Sequence, residues 1–178
     1  MLMKTNQITL SRLLPKTGQS VVYTAGDDGT NQAGWWQGLT LAANRERFVA
    51  KTISEFEHIV IDNATGLTWA ADGNEGGCRS GGAASWASHL TYLATLDFAG
   101  FTDWRMPNIF ELFSIIDMSA FNPAVNALFT NTKTSYYWSS TAESDFTTWA
   151  WRIYFILGNI DQNDKTASHY LRAVRGGL

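Results

Sequence analysis

Apolar and polar positions follow two different periods along this chain, and the change of period divides it into blocks. His58-Ile-Val-Ile-Asp62 and Leu67-Thr-Trp69 have strand pattern and flank the turn signal Asn63-Ala-Thr-Gly66, which predicts a hairpin. Upstream, Val21-Val-Tyr23 is a shorter strand candidate, followed by Gly26-Asp-Asp-Gly29, read as an Asp-Gly turn. Residues 72–84 carry five glycines and no apolar period, the pattern of a flexible surface loop. The period then becomes helical. Trp86, Leu90, Leu93 and Leu96 recur at three-to-four spacing, with Ser85 placed to cap and Gly100 to close.

Phe101-Thr-Asp-Trp-Arg-Met-Pro107 is expected to be extended, because Pro107 biases Met106 away from helix. Asn108 with Glu111 three positions on makes a capping box for a second helix, whose buried stripe is Ile109, Leu112, Phe113 and Ile116. That cap is a better account of Glu111 than general-acid chemistry. After a polar loop over 118–135, strand pattern returns at 136–140, 148–155 and 170–175, joined by polar loops at 141–147 and 158–169. Two helices in the middle with strands at both ends predict an α+β fold whose terminal strands could pair. Residues 1–20 read as an extension and residues 21–178 as a single domain.

Composition narrows the function. Thirteen basic against sixteen acidic residues give a net charge of −3, with no basic stripe to neutralise a phosphate backbone, so neither nucleic acid nor an anionic membrane surface is expected as partner. No apolar run approaches the ~18 residues of a membrane span. The first twelve residues lack the apolar core of a secretory leader, which predicts an intracellular protein or one whose leader lies outside this sequence. Leu14-Pro-Lys-Thr-Gly18 spells a wall-anchoring pattern but stands at the wrong end of the chain for that use, and Asn63-Ala-Thr65 is read as a chance sequon.

Recognisable catalytic chemistry is missing from the pattern. One cysteine, Cys78, offers neither an internal disulfide nor a zinc pair, and His58, His89 and His169 match no metal or triad motif. His89 lies off its helix's apolar stripe and is expected to be solvated. No cofactor is called for, with calcium at an Asp-rich loop the one alternative. The unusual quantity is aromatic content: eight Trp, ten Phe and six Tyr.

Five motifs then follow in order: Asp62-Asn-Ala-Thr-Gly-Leu-Thr-Trp69; Gly100-Phe-Thr-Asp-Trp-Arg-Met-Pro107 with Glu111-Leu112; Tyr137-Trp-Ser-Ser-Thr141; Ala150-Trp151 with Phe155 and Gly158; and Arg172-Ala-Val-Arg-Gly-Gly177. Together, over about residues 14–178, they resemble the C-terminal domain family of Legionella collagen-like adhesins. The resemblance implies a C-type-lectin-like fold, with a twisted antiparallel sheet, two helices and long irregular loops. It is similar to the fold of formylglycine-generating enzymes and of retroelement-diversified variable domains. Enzyme activity does not carry over, since the formylglycine type uses two cysteines. The resemblance also implies a bacterial surface or extracellular location, binding of sulfated glycosaminoglycans, and a homotrimer.

Most motif residues read as fold determinants. Trp69, Trp104, Trp138 and Trp151 are large plates for a core, and Arg105, Arg172 and Arg175 suit fixing loop carbonyls or a carboxylate such as Asp103 or Glu111. What faces outward carries the binding hypothesis. Alternation puts Trp151, Ile153 and Phe155 on one face of their strand and Arg152 and Tyr154 on the other, with Trp149 at its mouth. The neighbouring loops add Glu143, Asp145, Asn159, Asp161 and Asn163, then His169 and Tyr170. Aromatic anchors among small polar groups serve both sugar and protein recognition. Ile156 and Leu157 stand where the family usually has small polar residues, and predict an exposed apolar partner or oligomer surface. The leading reading is a non-catalytic module of a bacterial surface or secreted protein that binds a glycan or partner protein. The rivals are a retroelement-diversified or phage-tail receptor, a structural oligomerisation module, and an enzyme with a triad assembled in space.

Overall fold

A computed structural model describes residues 17–31 and 47–176. The Leu14-Pro-Lys portion of the anchoring pattern lies outside the described residues. Two antiparallel sheets and short helices make an α+β fold, as the sequence pattern predicts and compatible with a sheet-rich lectin-like fold. The first sheet has strands β1 (Phe48–Ser54), β2 (Glu57–Asp62), β3 (Leu67–Ala70) and β7 (Val174–Arg175), in that order. The second has β4 (Tyr136–Ala142), β5 (Trp149–Tyr154) and β6 (Asn159–Asp164). The predicted pairing of early and late strands is the β3–β7 contact, which sets Trp69 opposite Val174. The β2–β3 hairpin is closed by Asp62, whose carboxylate accepts from the Ala64 amide and the Thr65 hydroxyl and forms a buried ion pair with Arg47.

Alternation along these strands feeds two apolar clusters. Val60 and Trp69 join Leu112, Phe129, Ile153 and Phe155 in one, while Ile59 and Ala70 point the opposite way to Trp104, Trp138 and Leu171 in the other. Trp69, Trp104 and Trp138 are buried and Trp151 packs half-buried against the first cluster, so the plates do the work expected of them. The predicted arginine contacts also form. Arg105 makes a two-pronged bond to Glu111, and Arg175 does the same to Asp103.

Helix α1 (Asp28–Asn31) is a single turn. Asp27 caps it, with carboxylate oxygens accepting from the Tyr23, Thr24 and Thr30 amides, so the Asp-Gly segment is a local turn. Helix α2 (Trp86–Leu93) starts at the predicted Ser85 cap but stops at Ala94, well before Gly100. Helix α3 (Ile109–Ser114) carries the full predicted capping box.

Three expectations need correction, and one strand was not expected at all. Val21–Tyr23 is exposed and forms no strand; among the described residues no strand edge pairs with these three positions. The glycine-rich 72–84 segment is packed: it holds a 3₁₀ turn at Gly76–Gly81 with Cys78 buried. At Gly77 a side chain would stand 2.4 Å from the Ala70 Cβ, so glycine here is a close-approach residue rather than a hinge. Residues 159–164 are β6 rather than loop, although Asn-Ile-Asp-Gln-Asn-Asp is poor strand sequence; the edge of β5 supplies the register, with Arg152 opposite Asp161. Finally, β1 has no clear alternation and is exposed along most of its length, which hid it from pattern reading.

Glu111 gives this frame a pH dependence. Burial works to raise its pKa, but the Arg105 fork and the Asn108 amide outweigh it and hold the carboxyl below the ordinary range. A carboxylate with a lowered folded pKa stabilises above its unfolded pKa and loses that contribution as pH falls through the folded value. In urea denaturation, Glu111→Ala should cost about 1–2 kcal/mol at neutral pH. The difference should shrink below about pH 4; a difference that does not change with pH would contradict this account.

Candidate functional site

On one face of the second sheet, adjacent strands bring side chains into rungs: Tyr136, Tyr154 and Asn159 in one, Trp138, Arg152 and Asp161 in the next. Arg152 is the centre. One terminal nitrogen donates to Asp161 Oδ2 at 2.7 Å and the other to His169 Nε2 at 2.6 Å. Its guanidinium carbon lies 3.7 Å over the Tyr136 ring, which also stacks on Tyr154 with centroids 4.5 Å apart. Asn163 Nδ2 approaches the same His169 nitrogen at 3.1 Å. The His169 ring rests edgewise on Trp138.

Five residues named from sequence therefore converge: Arg152, Tyr154, Asp161, Asn163 and His169. Asn159 is exposed at the end of the first rung. The others are elsewhere. Tyr170 makes a parallel bridge to Tyr137 and packs toward the first apolar cluster, because alternation turns it away from His169. Glu143 bonds to the Ser144 and Asp145 amides within the β4–β5 loop, where Asp145 is exposed, and half-buried Trp149 packs on Phe146 at 5.7 Å. Of the predicted apolar pair, Leu157 is 60% exposed and Ile156 half-buried; Ile160 on β6 is exposed as well.

Two members were missed. Tyr136 binds the patch together: the register of β4 on β5 places it opposite Tyr154, a relation that the pattern of one strand does not carry. His89 is wholly buried rather than solvated, since Nε2 donates to the His169 carbonyl at 2.8 Å from the inner side of α2. No local pattern carries that contact across eighty residues.

The electrostatics are close to neutral. Burial acts to raise the Asp161 pKa, but the Arg152 guanidinium and the Gln162 amide overcome it and hold the carboxyl low. Burial and the Arg152 charge push His169 down to about 4. Burial likewise lowers His89. Among the described residues no group of three or more His, Cys, Asp or Glu is placed to hold a metal ion. A groove of about 640 Å³ lies apart from the patch, lined in part by Asp117, Val125 and Phe129. Its polar groups are already engaged: Asp117 accepts from Ser119, and Asn131 donates to Asp72.

An α+β frame with a polar–aromatic sheet face, and no helix among the described residues long and apolar enough to cross a membrane, is the setting for comparison with known proteins. The chain belongs to the Lcl C-terminal domain family, whose profile matches residues 58–175. The match begins after β1 and is shorter than the 14–178 over which the resemblance was expected to run. This is a family of adhesin-type domains associated with bacterial surface proteins, and is not a known enzyme family. No curated protein matches the chain.

Cys78, the one free thiol, is buried, and burial pushes its pKa up. Reaction with a disulfide reagent such as DTNB should be slower in the native protein by orders of magnitude than in concentrated guanidinium chloride. Comparable rates in the two states would mean the 72–84 segment is not packed as described.

Proposed function

We propose that this chain is a non-catalytic recognition module of a bacterial surface or secreted protein, and that the Arg152 face of the second sheet binds a glycan. The observation that carries the reading is the convergence of Arg152, Tyr154, Asp161, Asn163 and His169 on a half-buried face. Sugar rings present apolar C–H faces and hydroxyls that both donate and accept. Tyrosine rings offer the matching plates, and a guanidinium, a carboxylate and an amide fixed beside them offer matching polar partners. One guanidinium, one carboxylate and a neutral imidazole leave the patch near zero charge, which favours an uncharged glycan over a sulfated polyanion. Membership in an adhesin-type family supports the same class of role.

The test is a glycan array carrying neutral and sulfated sugars, probed with calcium and again with chelator. The reading predicts binding to uncharged glycans that survives chelator. It also predicts that Tyr154→Ala lowers affinity at least about tenfold, as loss of a central aromatic anchor does, with Tm moving only a few degrees. A blank array, or binding that Tyr154→Ala leaves unchanged, overturns it; the weight then moves to a protein partner or to self-association through Leu157 and Ile160, both exposed.

A further inference from the structure

We infer that His169 is the positioning residue of the Arg152 face, acting as a neutral acceptor whose protonation in acid releases the guanidinium and opens the patch. The inference rests on the reading of this face as a recognition surface only for its biological use; its chemistry stands on the geometry alone.

Arginine has donors and no acceptor, so the 2.6 Å contact from Arg152 requires a lone pair on His169 Nε2. The amide nitrogen of Asn163 points at the same atom. The ring proton is therefore on Nδ1, and the imidazole is uncharged. Adding a proton to Nε2 would set N–H against N–H and a cation against a cation. Arg152 would keep Asp161 on its other terminal nitrogen but lose the contact that holds it over Tyr136.

The groups facing His169 set the balance. From β5 comes Arg152, which opposes protonation, and from β6 Asp161, which favours it. Tyr136 of β4 flanks the ring, and Tyr154 of β5 stacks behind it on Tyr136. From α2 comes His89, whose Nε2 must carry hydrogen to donate to the His169 carbonyl and whose Nδ1 is buried without a partner; Arg79 adds repulsion to His89. Both histidines are thus held neutral, and a second cation cannot settle between them without displacing something. Acid that charges His169 favours any state in which this ring leaves Arg152. A histidine whose folded pKa is depressed below its unfolded value loses stability as pH falls from the unfolded pKa toward the folded one. For His169 that window runs from its ordinary 6.5 down to about 4.

The deciding measurement needs no ligand. Long-range ¹H–¹⁵N NMR of the full chain reads the tautomer and titration of each histidine, while aromatic resonances report Tyr136 and Tyr154. The expected result is His169 as the Nδ1–H tautomer, titrating well below the ordinary histidine range, with the two tyrosine rings shifting at the same midpoint. His169→Gln offers a comparable acceptor that does not titrate, so the tyrosine transition should vanish in that variant. An Nε2–H tautomer, a midpoint near 6.5, or a tyrosine transition that persists in His169→Gln overturns the inference. A failed glycan array would leave all three readouts standing, so the two ideas fall separately.

Discussion

Arg172, a buried cation, ties the end of β3 to the loop that leads into β4. Arg172 is wholly inaccessible, and one terminal nitrogen donates to the carbonyls of Ala70 and Ala71, both at 2.7 Å. The other terminal nitrogen donates to the Thr132 hydroxyl at 2.6 Å. The guanidinium stands 5.2 Å from the centre of the Phe129 ring. Among the described residues no carboxylate lies within ion-pair distance of it. Taking such a charge out of water costs several kcal/mol, so its place in the core depends on those three oxygens staying where they are. They belong to the end of β3, the start of the next segment, and the loop that leads into β4. Whatever else varies, these pieces must meet around Arg172.

The Arg152 face inherits its geometry from this knot. His169 precedes Arg172 by three residues in the same extended segment, and Tyr170 between them is pinned to β4 through hydrogen bonds with Tyr136 and Trp138. Alternation along the segment then sends Tyr170 to the core and His169 to the patch. Arg152 and Arg172 show one side chain in two settings. The terminal nitrogens of Arg172 are bonded to neutral oxygens in the interior while its Nε is buried without a partner, whereas Arg152 lies at a boundary where its carboxylate partner, Asp161, is nearly half exposed.

Much of this frame was readable in the chain because its signals are local. The capping box at Asn108 and Glu111, the turn at Asn63–Gly66 and the alternation of β5 each depend on residues a few positions apart. The parts that escaped depend on distant surroundings. β6 exists because β5 offers it an edge, and β1 because β2 does. His89 is buried because the His169 backbone comes to lie above it. At the candidate site, alternation along β5 puts Arg152 and Tyr154 on the face away from Ile153, whereas Glu143 and Asp145 lie in the β4–β5 loop and Tyr170 packs toward the first apolar cluster. Tyr136 was overlooked because its importance comes from pairing, which no single strand reveals.

Two arginines of the same chemistry divide the labour, Arg172 holding the fold and Arg152 ordering the sheet face at the surface. Urea denaturation of Arg172→Met and Arg152→Met against the parent chain tests it most directly. Removing Arg172 strands the buried carbonyls of Ala70 and Ala71, each worth about 1–3 kcal/mol, while Thr132 keeps its bond to the Phe129 carbonyl, so a loss of about 2 kcal/mol or more is expected. Removing Arg152 leaves Asp161 free to be solvated and should cost about 1 kcal/mol. Equal losses, or a larger loss at Arg152, would contradict the account.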